Sequence, residues 1–186
     1  MNMNINNAMM INNVAVMNTT RAMEEAAKYV VLGKDFNPFN RTSVERFELE
    51  LPLFMNTLKE CIHVIRQAKF EGYQPQELVK IISKDDIAFL KVLNPSISES
   101  NLFDATDFVF IENPVVVRYI GNDFNPFNWD VNTRLRLVVG NMVGSFKSLC
   151  HIAIQAEKER RTMQELVARV DEETLQMLKL FTSTVA

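Results

Sequence analysis

One octapeptide occurs twice, as Gly33-Lys34-Asp35-Phe36-Asn37-Pro38-Phe39-Asn40 and as Gly121-Asn122-Asp123-Phe124-Asn125-Pro126-Phe127-Asn128. Its residue types suit two kinds of chemistry. Asn and Asp bond to nearby backbone and Pro fixes φ, so the peptide can be a structural turn whose Phe rings anchor it on a core. Alternatively Phe36, Phe39, Phe124, Phe127 and the adjacent Trp129 face outward, where aromatic faces stack on bases or on a partner. A second cluster is basic. Residues 131–161 carry Arg134, Arg136, Lys147, Lys158, Arg160 and Arg161 against two acidic residues. If Leu135 and Leu137 point to a core from a strand, Arg134 and Arg136 point away from it. Arg118, Arg46 and Lys34 can add to that face.

Other chemistries find little support. His63 and His151 are each followed four residues later by Gln, but two imidazoles without nearby Cys or carboxylate ligands make a poor metal site. Cys61 and Cys150 lie on apolar stripes and read as small buried hydrophobes. The sequence lacks a phosphate-cradling glycine loop, an HExxH, a paired-Cys motif and a nucleophile elbow. It reads as a non-enzyme with no metal and no cofactor.

The two octapeptides stand 88 residues apart, and the match continues without a gap through Arg46/Arg134, Leu49/Leu137, Lys59/Lys147, His63/His151, Gln67/Gln155 and Ala68/Ala156. Thirteen of the 37 positions in 33–69 and 121–157 are identical, where chance gives roughly two. A duplicated unit implies a pseudo-symmetric pair sharing one core.

The elements of each unit admit two readings. Phe108–Ile111 and Val115–Ile120 are β-branched and aromatic, and they flank the turn-like Glu112-Asn113-Pro114, as in a hairpin. Phe47–Leu51 and Arg134–Leu137 alternate as half-buried strands do. Pro52 and Gly140 end both runs, and helices follow over about 53–70 and 141–160. This favours an α+β fold: two pseudo-symmetric repeats of antiparallel strands followed by a helix, with extra helices between the repeats and at the C-terminus. The competing reading is an all-α bundle of long heptad-patterned helices. In it, Phe47, Leu51, Phe54, Leu58, Cys61, Ile65 and Ala68 form one stripe, and Thr42 with Glu45 forms a capping box.

Around these units, residues 75–82 read as a short helix and Ser83 as the cap of a helix over 84–93, while 94–100 is a loop by composition. Thr162 and Glu165 start a last helix, which packs on its own domain or on a copy of itself. In the first copy 21–28 looks helical and 29–32 strand-like. The expected organisation is an N-terminal arm over 1–18 with seven Asn, a first unit over 19–72, a helical connector over 73–106, a second unit over 107–161 and a C-terminal helix over 162–186, packed as one compact domain.

The strand-to-helix stretches Glu45–Leu53 and Arg134–Gly140 resemble the PUR and Whirly group of single-stranded nucleic-acid-binding proteins. Those repeat a curved antiparallel sheet followed by a helix, and two repeats interlock. The resemblance implies the sheet face as the binding surface, here Arg134, Arg136, Arg118 and Arg46. Together these features predict a non-enzymatic protein that binds single-stranded RNA or DNA through a basic sheet face and aromatic loops. The alternative is a structural or adaptor protein working through homo-oligomerisation and protein–protein contacts. A net charge of −3 excludes a basic nucleic-acid-binding tail, and 47% apolar residues provide a core. No apolar run approaches the ~20 residues that span a bilayer, and the start lacks the pattern of a secretory signal. The expected setting is cytoplasmic, with no membrane contact and a homo-oligomeric state. The abundance of Asn, Ile and Met fits an AT-rich genome such as many phages have.

Overall fold

The computed structural model describes residues 32–103 and 105–183, and among them there are helices and no strand. The arm over 1–18 and the features over 21–31 lie outside the described residues. The α+β expectation is therefore corrected: α1 (Ser43–Phe70) and α6 (Val131–Lys158) are unbroken helices that include both stretches read as strands. α4 (Ala105–Phe110) and α5 (Pro114–Ile120) replace the hairpin. The stretches that carry the PUR and Whirly resemblance thus lie on helices.

The reason is visible in burial. Phe47 and Leu51 are buried while Leu49 between them is 50% exposed, and Leu135 and Val139 are buried while Leu137 is 47% exposed. Every second residue is therefore not inside; every third or fourth is, which is the helical period. Tertiary packing then outweighs local preference. Pro52 removes one helix hydrogen bond and costs about 3 kcal/mol in a helix interior. It is exposed and flanks a stripe running Val44, Phe47, Leu51, Met55, Cys61, Ile65 and Ala68 into the core. Pro114 is placed where it does least harm, at the start of α5, whose cap Asn113 accepts from the Val115 N–H at 2.9 Å.

α1 starts with the expected capping box, in which Thr42 N–H donates to Glu45 at 2.8 Å and Glu45 N–H donates to the Thr42 hydroxyl at 3.3 Å. α6 starts at Asp130, which accepts from Thr133 N–H at 3.0 Å. Each helix has 28 residues, hence a length of about 42 Å. They pack antiparallel: Arg46 at the start of α1 reaches Gln155 near the end of α6, and Arg134 at the start of α6 reaches Gln67 near the end of α1. The Phe54 and Phe146 rings meet at 5.7 Å where the two helices face each other. By length and composition α6 is also apolar enough to cross a membrane, with mean hydropathy 1.4 over its best window. Here its stripe of Val131, Leu135, Val139, Val143 and Cys150 is buried.

The duplication runs further than 33–69 and 121–157. α2 (Pro75–Val79) and α7 (Met163–Val167) stand 88 residues apart, as do the first residues of α3 (Lys84–Leu93) and α8 (Glu172–Ser183). Ser83 and Asp171 stand at equivalent positions before these helices, and each accepts from an N–H three residues on. α3 lays Phe89 against Phe146 of α6 at 6.2 Å, beneath the Lys147 ammonium at 5.0 Å. On the other side Lys59 of α1 meets Glu173 of α8 at 4.0 Å.

Candidate functional site

The octapeptides form two matching turns, each bound to the end of the other repeat's long helix. Gly33 (φ +72°) and Gly121 (φ +70°) make the entry bend in a conformation that a side chain would strain. Asn37 then clamps the loop, donating to Arg41 O at 2.9 Å and accepting from Arg41 N–H at 3.0 Å. Asn125 does the same with Trp129, at 3.1 and 3.0 Å. Asn40 and Asn128 sit at φ +52° and +48°, the left-handed region that Asn tolerates. Each of these N–H groups closes a turn onto the Asn three residues back, at 3.2 Å in both copies.

A reciprocal latch fastens each turn. Asp35 takes Arg46 in a two-pronged pair at 2.7 and 3.2 Å, and the same guanidinium donates to Gln155 at 2.6 Å. Asp123 takes Arg134 at 2.7 and 3.0 Å, and Arg134 donates to Gln67 at 2.6 Å. Gln155 also donates to Arg41 O at 2.9 Å, and Gln67 to Trp129 O at 3.3 Å. His151 reaches Leu32 O at 3.3 Å and His63 reaches Ile120 O at 3.2 Å, so each imidazole holds the residue before the other repeat's entry glycine. Glu60 adds a further carboxylate to Arg134 at 3.3 Å; its counterpart is Ser148, so Arg46 has none there.

Electrostatics follow this geometry. The hydrogen bond from Arg134, and then its charge, hold the Asp123 carboxyl below the usual range despite some burial, while Asp123 and then Glu60 raise the Arg134 pKa. Burial pushes Asp35 up, but the hydrogen bond and charge of Arg46 outweigh it and its pKa is lowered. Burial also pushes the Cys150 thiol up to about 12, so it is not a thiolate at neutral pH.

These contacts correct the basic sheet face. There is no sheet among the described residues, and Arg134 (4% exposed) and Arg46 (9%) are buried and held by carboxylates. Arg136 is exposed on α6, about 200° around the helix from Arg134 at 100° per residue. Arg118 and Lys34 are exposed at separate places, on α5 and ahead of the first turn. Each histidine serves a different turn, and no group of three or more metal-ligating side chains occurs among the described residues.

The aromatic residues are the exposed part of the turns. Phe36, Phe39, Phe124 and Phe127 are 71–82% exposed, so the turns are not anchored by burying their rings. Trp129 is also exposed and stacks on Phe127 at 5.3 Å, while in the first copy the Arg41 guanidinium lies 5.1 Å over Phe39. Sequence reasoning named these aromatics and missed Leu49 and Leu137, the exposed leucines on the second turn of each long helix. The signal was their identity in both copies within the strand-like alternation. The repeat's extension was also legible, in Gln76-Glu77-Leu78-Val79 and Gln164-Glu165-Leu166-Val167. No protein-family model, curated protein or solved structure matches this chain.

Proposed function

We propose that this chain is a structural adaptor that docks other protein surfaces onto two equivalent aromatic turns. One observation carries the reading. Of the thirteen residues common to 33–69 and 121–157, ten serve the fold: Gly33, Asp35, Asn37, Pro38, Asn40, Arg46, Lys59, His63, Gln67 and Ala68, with their counterparts. The other three are Phe36, Phe39 and Leu49, and they are large apolar side chains exposed in both copies. The fold does not need them outside, and exposed apolar groups on a rigid turn mark a protein-contact surface. Rigidity also lowers the ordering cost of docking.

Single-stranded nucleic acid is the rival occupant, favoured by the Phe127–Trp129 stack, which offers a π-face to a base. Phosphates also need free cations. Beside that stack, residues 121–133 contain no Lys or Arg and the Arg134 that follows is held by Asp123 and Glu60, whereas the exposed Lys34 and Arg41 stand at the first turn, which has no Trp.

Photo-cross-linking from a benzophenone side chain at position 36 or 124, in cells that make the protein, separates these occupants. Protein adducts from both positions, above those from the exposed control position 100, are the expected result. Adducts to nucleic acid alone, or none above the control, would overturn the adaptor reading.

A further inference from the structure

We infer that the partner is a second copy of this chain, docked head to tail, the first aromatic turn of one copy against the second turn of the next. This rests on the reading of the turns as protein-docking surfaces. Because α1 and α6 run antiparallel, the two turns stand at opposite poles of a helix pair about 42 Å long.

The poles share their Phe pairs and differ in charge, and the second also exposes Phe70 and Trp129 where the first has Lys158 and Arg41. At the first pole, residues 34–46 carry Lys34, Arg41 and Arg46 against Asp35 and Glu45. The α6 end beside it, 157–165, is balanced at three of each sign. At the second pole, 122–134 carry Arg134 against Asp123 and Asp130, and the α1 end, 69–77, carries Lys69 against Glu71 and Glu77. Matching stretches of sequence thus give net charges of +1 and −2.

Position 41 and its counterpart 129 sharpen the difference. The first pole displays a guanidinium over Phe39, and the second an indole over Phe127. Trp is the best side-chain acceptor for a cation on its face, and Arg the commonest donor. Unlike poles therefore bring Arg41 to Trp129, Lys34 towards Asp130, and Phe to Phe. Like poles would set Arg41 and Lys34 against themselves, or Asp130 against Asp130. A contact between two different patches at opposite ends does not close on itself, so copies add in an open row.

Sedimentation at rising concentration tests this with variants that disable one pole each, Phe36→Ser/Phe39→Ser and Phe124→Ser/Phe127→Ser. These rings are exposed, so folding should survive, with circular dichroism as the check. The wild type should lengthen stepwise, less so in 1 M salt, where the Debye length is about 3 Å. Each variant alone should stay monomeric, and their equimolar mixture should stop at a dimer. Arg41→Glu should weaken association by about tenfold. A wild type monomeric at every concentration, or variants that dimerise alone, would overturn the inference. Cross-links from position 36 to a different protein only would also overturn it and leave the adaptor reading standing, whereas no protein adduct at all removes both.

Discussion

Arg134→Ala should lower the unfolding free energy by about 3 kcal/mol, the low end of the cost of breaking a buried ion pair. Its partners set that level. Asp123 and Glu60 keep roughly 40% of their side-chain surface in water, so they rehydrate in part when the guanidinium is lost. Arg46→Ala should cost less, about 2 kcal/mol, because Ser148 stands where a second carboxylate would. Arg136→Ala, on the exposed face of α6, should stay within about 0.5 kcal/mol. Urea midpoints for the three variants rank them. Equal losses at Arg134 and Arg136 would mean that both side chains lie in the same environment, as on an open sheet.

The same latch shapes the acid limb of the stability profile. Asp35 and Asp123 are held below the usual carboxylate range in the folded chain, whereas unfolded Asp titrates near 3.9. Between those values the unfolded state binds more protons. The stabilisation is therefore complete at neutral pH and is lost as pH falls below about 4 and through the folded values. Asp123→Asn should flatten that limb while lowering stability at neutral pH.

The second large effect concerns connectivity. Arg46–Gln155, Arg134–Gln67, His63–Ile120, His151–Leu32 and the α1–α6 stripe all join one repeat to the other. Cutting the chain at a protease site inserted after Glu99, in the loop following α3, should leave both pieces bound and unfolding in one transition. The pieces made separately should lose most of their helical ellipticity, because each long helix then exposes its buried stripe to water. A separate piece that melts like the intact chain would show that the repeats are independent.

Much of this architecture was legible in the residues. The duplication, the Thr42 capping box, the Ser83 cap and the stripes on α1 and α6 all stand in the sequence. The strand assignment failed because five residues cannot separate the two periods: positions i and i+4 lie on the same side in both. Phe47 and Leu51 fit either, and Leu49 decides, but its exposure is a tertiary fact. Pro52 and the Val115–Val117 run argued locally for strands, and burial of Leu51, Met55, Val116 and Ile120 overrode them. Arg134 looked available because its partners lie 11 and 67 residues away. An identical Asp–Arg spacing in both copies was the clue to an internal pair, and the exposed Phe rings remain once that pair is removed from the candidates.

The twin turns stand at opposite ends of an antiparallel helix pair. Spin labels at Phe39→Cys and Phe127→Cys test it, in labelled protein diluted with unlabelled chain; Cys61 and Cys150 are buried. The account predicts a distance on the order of 40 Å, one long-helix length. A distance of about 20 Å or less, two interhelix spacings, would place the turns together and contradict it.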